Sequence, residues 1–145
     1  MIDARRNGRR GAAITTLAVG GLAVATYLLV VRLLGEAPAC GPVRGCDTVA
    51  ASQYATVLGV PVALFGVGFS LTLSVLAATW WRRADRRALY AVYAVGLLGV
   101  AAVLYLTYLE LFVIEAICVW CVTYAFTIVT GWILAVLTVR DPSAT

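Results

Sequence analysis

Four long apolar stretches constrain this chain more than any other feature. They cover about residues 12–34, 59–80, 88–114 and 118–139, and each has the roughly 20 residues that an α-helix needs to cross a bilayer. Of all residues, 63% are hydrophobic and 12% are charged, whereas soluble domains carry about 25% charged residues. A water-soluble fold could not bury so much apolar surface. The sequence therefore predicts an all-α membrane protein, a four-transmembrane-helix bundle that forms one domain over residues 1–145.

The first apolar stretch follows the basic segment RRNGRR and so has the start of a secretory signal peptide. The apolar region of a signal peptide spans about 7–15 residues, and this stretch is longer. Its removal would also leave an odd number of spans. We therefore predict a helix that is retained in the mature protein.

All eleven basic residues are arginines, and they are unevenly distributed. Nine lie before the first stretch, in the link between the second and third, or after the fourth: Arg5, Arg6, Arg9, Arg10, Arg82, Arg83, Arg86, Arg87 and Arg140. Positive charge marks the cytoplasmic side, so both termini and the central link are predicted to be cytoplasmic. Arg32 and Arg44 fall on the other side. Lipid headgroups account for this pattern, and no motif supports nucleic-acid binding.

The same topology places residues 35–58 outside the cytoplasm as a loop. The first half of this loop is rich in glycine and proline, which favour turns. Asp47 or Thr48 is predicted to cap a short surface helix over about residues 49–56.

The four cysteines all fall on the predicted exterior face. Cys40 and Cys46 lie in the loop, and Cys118 and Cys121 form the segment CVWC at the start of the fourth helix. Disulfides persist outside the cytoplasm, and a thiolate is the nucleophile in their exchange. A helix N-terminus lowers the pKa of a cysteine there, while apolar surroundings raise it. The two pairs are therefore candidates for exchange with each other.

Other interpretations also account for these cysteines. Two static disulfides could staple a non-catalytic membrane scaffold, or four thiolates could bind zinc, although the C-x5-C spacing on a Gly/Pro-rich loop is unusual for a zinc site. A DsbB-like enzyme would catalyse the same net reaction on a different scaffold. In that arrangement the CxxC pair lies in the first exterior loop, whereas here the wider pair comes first.

The segments CGPVRGCDTVAASQYATVLGVPVALFG and CVWCVTYA resemble bacterial members of the vitamin K epoxide reductase family of four-helix membrane oxidoreductases. That family has a loop cysteine pair, a serine six residues after the second loop cysteine, a G-x-P start to helix two and a CxxC that opens helix four. The matching residues are Cys40, Cys46, Ser52, Gly59, Pro61, Cys118 and Cys121.

This resemblance implies a quinone-coupled disulfide relay at the extracytoplasmic side of the cell membrane. A secreted thioredoxin-fold protein of the DsbA type would pass electrons to Cys40, and Cys46 would then attack Cys118. Cys121 would face a membrane quinone, either menaquinone or ubiquinone. Some bacterial members are fused to a thioredoxin-like domain that this sequence lacks, so we expect the partner to be a separate polypeptide.

The resemblance also implies residues of a quinone site. Ser52 would lie near the quinone or order the loop helix, and Leu64 and Phe65 are candidates for the pocket wall. Glu110 is a further candidate, because an ionisable group inside a membrane helix suggests function and quinone reduction consumes two protons. We expect a proton or hydrogen-bond role for Glu110, and an interfacial position without a role for Glu115.

Two positions depart from the vertebrate members of that family. Their asparagine near the start of helix two, which helps to hold the quinone ketone, is replaced here by Val62. Their tyrosine four residues after the second CxxC cysteine corresponds to Ala125, and Tyr124 lies one residue earlier, about 100° around the helix. Val62 and Tyr124 are nevertheless candidates for quinone binding. These departures favour simple quinone reduction, and vitamin K quinone or epoxide reduction is the alternative activity.

Overall fold

The computed structural model describes residues 2–42 and 45–142, so Arg44, predicted to lie on the exterior side, falls outside the described residues. Four helices in this part of the chain are long and apolar enough to cross a membrane, which confirms the predicted bundle. They are α1 (Ile2–Leu33), α3 (Val62–Arg83), α4 (Arg86–Tyr108) and α5 (Val119–Val139). A short helix, α2 (Gly45–Ala51), lies in the loop between α1 and α3.

The four long helices form a closed arrangement in which α1 and α4 each pack against both α3 and α5. At one end, Arg6 and Arg10 at the start of α1 form ion pairs with Asp141, at 2.7 and 2.9 Å. These ion pairs hold the two termini of the chain together. The loop that carries α2, and the connection between α4 and α5, therefore share the opposite end.

The outer surface of the bundle is apolar. Leu98, Phe112 and Phe126 are 70%, 68% and 67% exposed, which would be costly for large hydrophobic side chains in water. An exposed surface of this kind is what a bilayer covers.

A tight turn joins α3 to α4 at the arginine-rich end. Ala84 adopts a left-handed conformation (φ 52°), and its N–H donates to the carbonyl oxygen of Trp80. Asp85 then caps α4, since its carboxylate accepts the N–H of Arg87 at 2.9 Å. This cap satisfies one of the free N–H groups at the helix start.

The third spanning segment does not end as a regular α-helix. After Tyr108 it continues as a π-helical segment, Leu109–Ile114, and the chain then turns at Glu115 (φ 54°). The N–H of Ala116 donates to the carbonyl oxygen of Glu110 at 3.0 Å across this wide turn. Single-turn π segments often occur at functional sites, and this one carries Glu110 into the bundle.

The short loop helix lies earlier in the chain than predicted. It spans Gly45–Ala51, and a 3-10 turn, Gln53–Ala55, follows it, in place of one helix over 49–56. Asp47 and Thr48 are consequently inside the helix, and the predicted N-cap role of either residue is wrong. Because the helix begins at Gly45, Cys46 lies in its first turn, and its side chain is buried there.

A two-stranded hairpin, which the sequence analysis did not predict, precedes α3. Strands β1 (Thr56–Val57) and β2 (Val60–Pro61) pair in antiparallel fashion. Both residues between them have positive φ, 53° at Leu58 and 82° at Gly59, as in the primed turns typical of hairpins. Pro61 directly precedes α3 as its N-cap and does not lie in the first turn.

Small residues allow the helices to approach closely. Gly99 on α4 packs against the ring of Phe69 on α3 so closely that a Cβ at this position would collide with the ring. Close packing against small residues is a main source of helix association in membranes, where apolar burial contributes little.

The Gly99→Ala substitution should destabilise the bundle by about 1–3 kcal/mol, because the added methyl group overpacks the contact with Phe69. The measurement is the free energy of unfolding in mixed micelles. Gly68→Ala is the matched control, since Gly68 lies on a helix and nothing surrounds its Cβ position within 4 Å. Equal stability of the two variants would contradict the proposed packing.

Candidate active site

The four cysteines lie in two pairs at the loop end of the bundle. Cys40 and Cys46 form a disulfide, with Cα atoms 6.1 Å apart, and Cys118 and Cys121 are free thiols. Cys46 and Cys118 are 0% and 2% exposed. One member of each pair is thus shielded from water.

The segment CVWC begins α5 with a sulfur cap. Cys118 is the N-cap residue, and its Sγ accepts the N–H of Cys121 at 3.4 Å. A hydrogen bond from the Cys121 thiol, opposed by burial and aided by backbone N–H groups, lowers the pKa of Cys118 to about 7. Cys118 lies just before the spanning helix. Because its pKa is lowered, its thiolate form is accessible near neutral pH.

A backbone contact joins the loop helix to the segment before α5. A Cβ at Gly45 would collide with the carbonyl oxygen of Ile117, so only glycine permits this approach. Gly45 directly precedes Cys46, and Ile117 directly precedes Cys118. The contact therefore brings the buried cysteine of each pair to the same place.

Both buried cysteines open onto one apolar cavity of about 440 Å³. The cavity lies between the four long helices and the loop, and its volume falls within the range of small-molecule pockets. It is lined by three of the cysteines and by five of the candidate residues for quinone binding or proton transfer: Cys46, Cys118, Cys121, Ser52, Val62, Phe65, Glu110 and Tyr124.

Leu64, in contrast, does not line the cavity, and its side chain is 47% exposed on the outer surface. Ser52 lines the cavity, but its hydroxyl donates to the carbonyl oxygen of Val49 at 2.7 Å. This hydrogen bond closes the end of the loop helix. The hydroxyl of Ser52 therefore interacts mainly with its own local backbone.

Glu110 is the charged side chain closest to the chemistry. It is 5% exposed, and its carboxylate accepts the N–H of Cys118 at 3.3 Å. The same carboxylate also interacts electrostatically with the Cys121 thiol. Glu115 is exposed at the turn that follows. A buried carboxylate between two thiols can position them and exchange protons with them.

Tyr124 closes the inner wall of the cavity one turn below Cys121. Its hydroxyl donates to the carbonyl oxygen of Gly66 at 3.2 Å and accepts from Ser70 at 3.0 Å. The hydroxyl hydrogen of Tyr124 is therefore already in a hydrogen bond with α3. Ala125 lines the same cavity with a methyl group.

Sequence reasoning missed the residues that hold the loop in place. The indole N–H of Trp120 donates to the carbonyl oxygen of Ala39 at 2.8 Å, and the hydroxyl of Tyr27 accepts the N–H of Ala39 at 3.1 Å. Arg32 donates to the carbonyl oxygen of Ala50 at 2.8 Å. These contacts join residues far apart in sequence, so no local pattern could have indicated them.

A zinc site has no support in the part of the chain that the structure describes, where no group of three or more Cys, Asp or Glu side chains could hold a metal ion. The disulfide also removes Cys40 and Cys46 as thiolate ligands.

No curated protein matches this chain significantly. Residues 12–136, which contain all four cysteines and nearly the whole bundle, match the sequence profile of the Vitamin K epoxide reductase family. This match agrees with the motifs in CGPVRGCDTVAASQY and CVWCVTYA and with four long apolar helices around a cavity lined by cysteines. The chain belongs to the vitamin K epoxide reductase family.

Proposed function

We propose that this protein is a quinone-dependent disulfide oxidoreductase that supports disulfide formation in secreted proteins. Electrons would pass from a separate DsbA-like thioredoxin-fold protein, through the two cysteine pairs, to a membrane quinone. The observation that carries the proposal is the placement of Cys46, Cys118 and Cys121 along one apolar cavity. Family membership indicates a membrane oxidoreductase that works through thiols.

The charge distribution supports an orientation for this relay. The arginines at the start of α1 and in the turn between α3 and α4 lie at the end that holds both termini. Positive residues mark the cytoplasmic side of a membrane protein. The cysteine end would then face the exterior, where a secreted partner is available and disulfides persist.

The first step is exchange with the partner at the exposed loop. A thiolate of the partner attacks Cys40, which forms a mixed disulfide and releases Cys46 as a thiolate. The second thiol of the partner then resolves the mixed disulfide. The partner leaves oxidised, and Cys40 and Cys46 hold the two electrons as thiols.

The second step moves these electrons into the bundle. The Cys46 thiolate attacks Cys118 of an oxidised Cys118–Cys121 pair, which releases Cys121 as a thiolate. Cys40 then attacks Cys46, so the loop disulfide is restored and Cys118 is released. The contact between Gly45 and Ile117 supports this step, since it joins the residues that directly precede Cys46 and Cys118.

The third step transfers two electrons and two protons from the Cys118–Cys121 dithiol to the quinone, and the disulfide forms again. The cavity suits such a substrate because its wall is largely apolar, with Phe65 and Val62 on one side and Cys121 on the other. A quinone could enter from the bilayer, and menaquinone and ubiquinone both fit this chemistry.

Glu110 would serve the third step as the proton acceptor. Its carboxylate lies beside the Cys121 thiol and holds the N–H of Cys118. Removal of a thiol proton makes sulfur a nucleophile, and a positioned carboxylate can supply this by general base catalysis. The proton would then be available to the quinone as it is reduced to quinol.

Vitamin K epoxide reduction is less well supported by the cavity. Val62 offers no hydrogen-bond donor, and the hydroxyl hydrogen of Tyr124 is engaged by Gly66. Quinone reduction and epoxide reduction both take up two electrons and two protons, so the preference for quinone reduction rests on the departures at these two positions.

The substitution Cys121→Ser should abolish quinone reduction. Transfer of two electrons to the quinone requires that Cys118 and Cys121 form a disulfide, and this variant has no second thiol in CVWC. The measurement uses proteoliposomes with a reduced DsbA-like protein and a quinone, and follows quinone absorbance. Val122→Ser is the matched control, since Val122 is 48% exposed on the outer face of the same turn. Intact quinone reduction by Cys121→Ser would show that the terminal step is wrong.

The same variant should accumulate a disulfide between Cys46 and Cys118. In Cys121→Ser, the Cys118 thiolate attacks Cys46 of the loop disulfide and frees Cys40. With no second thiol in CVWC, only Cys40 can reverse the product, and alkylation of Cys40 traps it. Mass spectrometry of alkylated peptides identifies the pairing. Detection of the Cys40–Cys46 disulfide alone would count against the relay.

The substitution Glu110→Gln should slow electron transfer from CVWC to the quinone by about 100-fold or more, which is the typical contribution of a general base. Glutamine keeps an acceptor for the N–H of Cys118 but takes up no proton. The readout is the rate of quinone reduction after CVWC has been reduced, with Glu115→Gln as the control. A rate equal to that of the unsubstituted protein would exclude the proton role.

A further inference from the structure

The residue that precedes Cys40 is held by side chains on both sides. The N–H of Ala39 donates to the hydroxyl of Tyr27 at 3.1 Å, and the carbonyl oxygen of Ala39 accepts the indole N–H of Trp120 at 2.8 Å. The rings of Tyr27 and Trp120 also contact each other, with centroids 4.6 Å apart and planes at 45°. We call this arrangement the Ala39 clamp.

The clamp supplies the hydrogen bonds of a segment that is otherwise tied to the protein by the Cys40–Cys46 disulfide. Among the described residues 37–42, Ala39 alone forms hydrogen bonds with described parts of the protein. Ala39 and Gly41 are exposed. An exposed strand with few hydrogen bonds samples many conformations unless specific contacts hold it.

The two halves of the clamp come from different helices of the bundle. Tyr27 lies on α1, and Trp120 lies in the first turn of α5, between Cys118 and Cys121. The residue that holds the loop therefore sits within the dithiol with which the loop must react. The contact of Gly45 with Ile117 fixes the other side of the disulfide loop.

We propose that Tyr27 and Trp120 are positioning residues that hold the Cys40–Cys46 pair over CVWC for the exchange between the two pairs. This inference rests on the relay proposed above. Exchange requires a sulfur nucleophile to meet a disulfide in line, and a held geometry raises the effective concentration of the reacting groups. No electrons or protons pass through Tyr27 or Trp120, since both act on the backbone of Ala39.

Two variants remove the clamp from opposite sides. Trp120→Phe keeps an aromatic ring against Tyr27 and loses the N–H donor, and Tyr27→Phe loses the acceptor for the N–H of Ala39. Trp81→Phe and Tyr105→Phe are matched controls, because these side chains are 46% and 60% exposed away from the loop. Tyr27→Phe leaves CVWC unchanged, so it tests the clamp even if Trp120→Phe fails to fold.

The experiment is a single turnover in the absence of quinone. The fully oxidised protein is mixed with one equivalent of reduced DsbA-like protein and quenched with an alkylating agent at successive times. Mass spectrometry then reports new thiols at Cys40 and Cys46 separately from those at Cys118 and Cys121. A variant that was merely unfolded would form new thiols more slowly at both cysteine pairs.

In both clamp variants, alkylated thiols should appear at Cys40 and Cys46 at the rate of the unsubstituted protein. At Cys118 and Cys121 they should appear about three- to tenfold more slowly than in the unsubstituted protein. This range corresponds to the loss of one hydrogen bond. The matched controls should show neither effect.

Two results would overturn the inference. Transfer to CVWC at the normal rate in both clamp variants would show that the clamp does not position the loop, and equal slowing of both appearances would show a general defect. If label never reaches Cys118 and Cys121 in the unsubstituted protein, the relay itself fails, and this outcome is distinct from the other two.

Discussion

Inside a bilayer, a backbone N–H or carbonyl group finds no water, so it must be satisfied within its own segment. This constraint accounts for the four long helices and for the placement of irregular backbone. The left-handed residue Glu115, the π segment Leu109–Ile114 and the hairpin all lie at the cysteine end. The other described break between the long helices, the turn at Ala84, is tight, so most of the irregular backbone lies at the cysteine end.

The departures from helical geometry build the site. The wide π turn places Glu110 in the interior beside the N-cap residue Cys118. At this cap the sulfur of Cys118 lies beside backbone N–H groups and has a pKa of about 7. Cys121 lies one turn further along the helix and lines the cavity. A single helix start thus carries a thiol that can meet a protein disulfide and a second thiol that faces an apolar substrate.

Apolar composition and length were sufficient to predict the bundle, because an apolar stretch of this length has few alternatives to a membrane helix. The cysteine spacing likewise indicated the two candidate pairs. The extent of the loop helix was predicted incorrectly, since Asp47 and Thr48 are good capping residues in isolation, but the contact of Gly45 with Ile117 starts the helix earlier. Leu64 and Phe65 were both candidates for the pocket wall because they lie near the start of the second spanning helix, yet adjacent helical residues point about 100° apart, and only Phe65 lines the cavity.

The sequence by itself determined the membrane environment, the number of spans and the identity of the four cysteines, because these depend on composition and local spacing. Tertiary structure alone decided which groups meet. The Gly45–Ile117 contact, the carboxylate of Glu110 beside both thiols, and the hold of Tyr27 and Trp120 on Ala39 join segments distant in the chain. Such contacts follow from how the helices pack against one another, which a single sequence does not reveal.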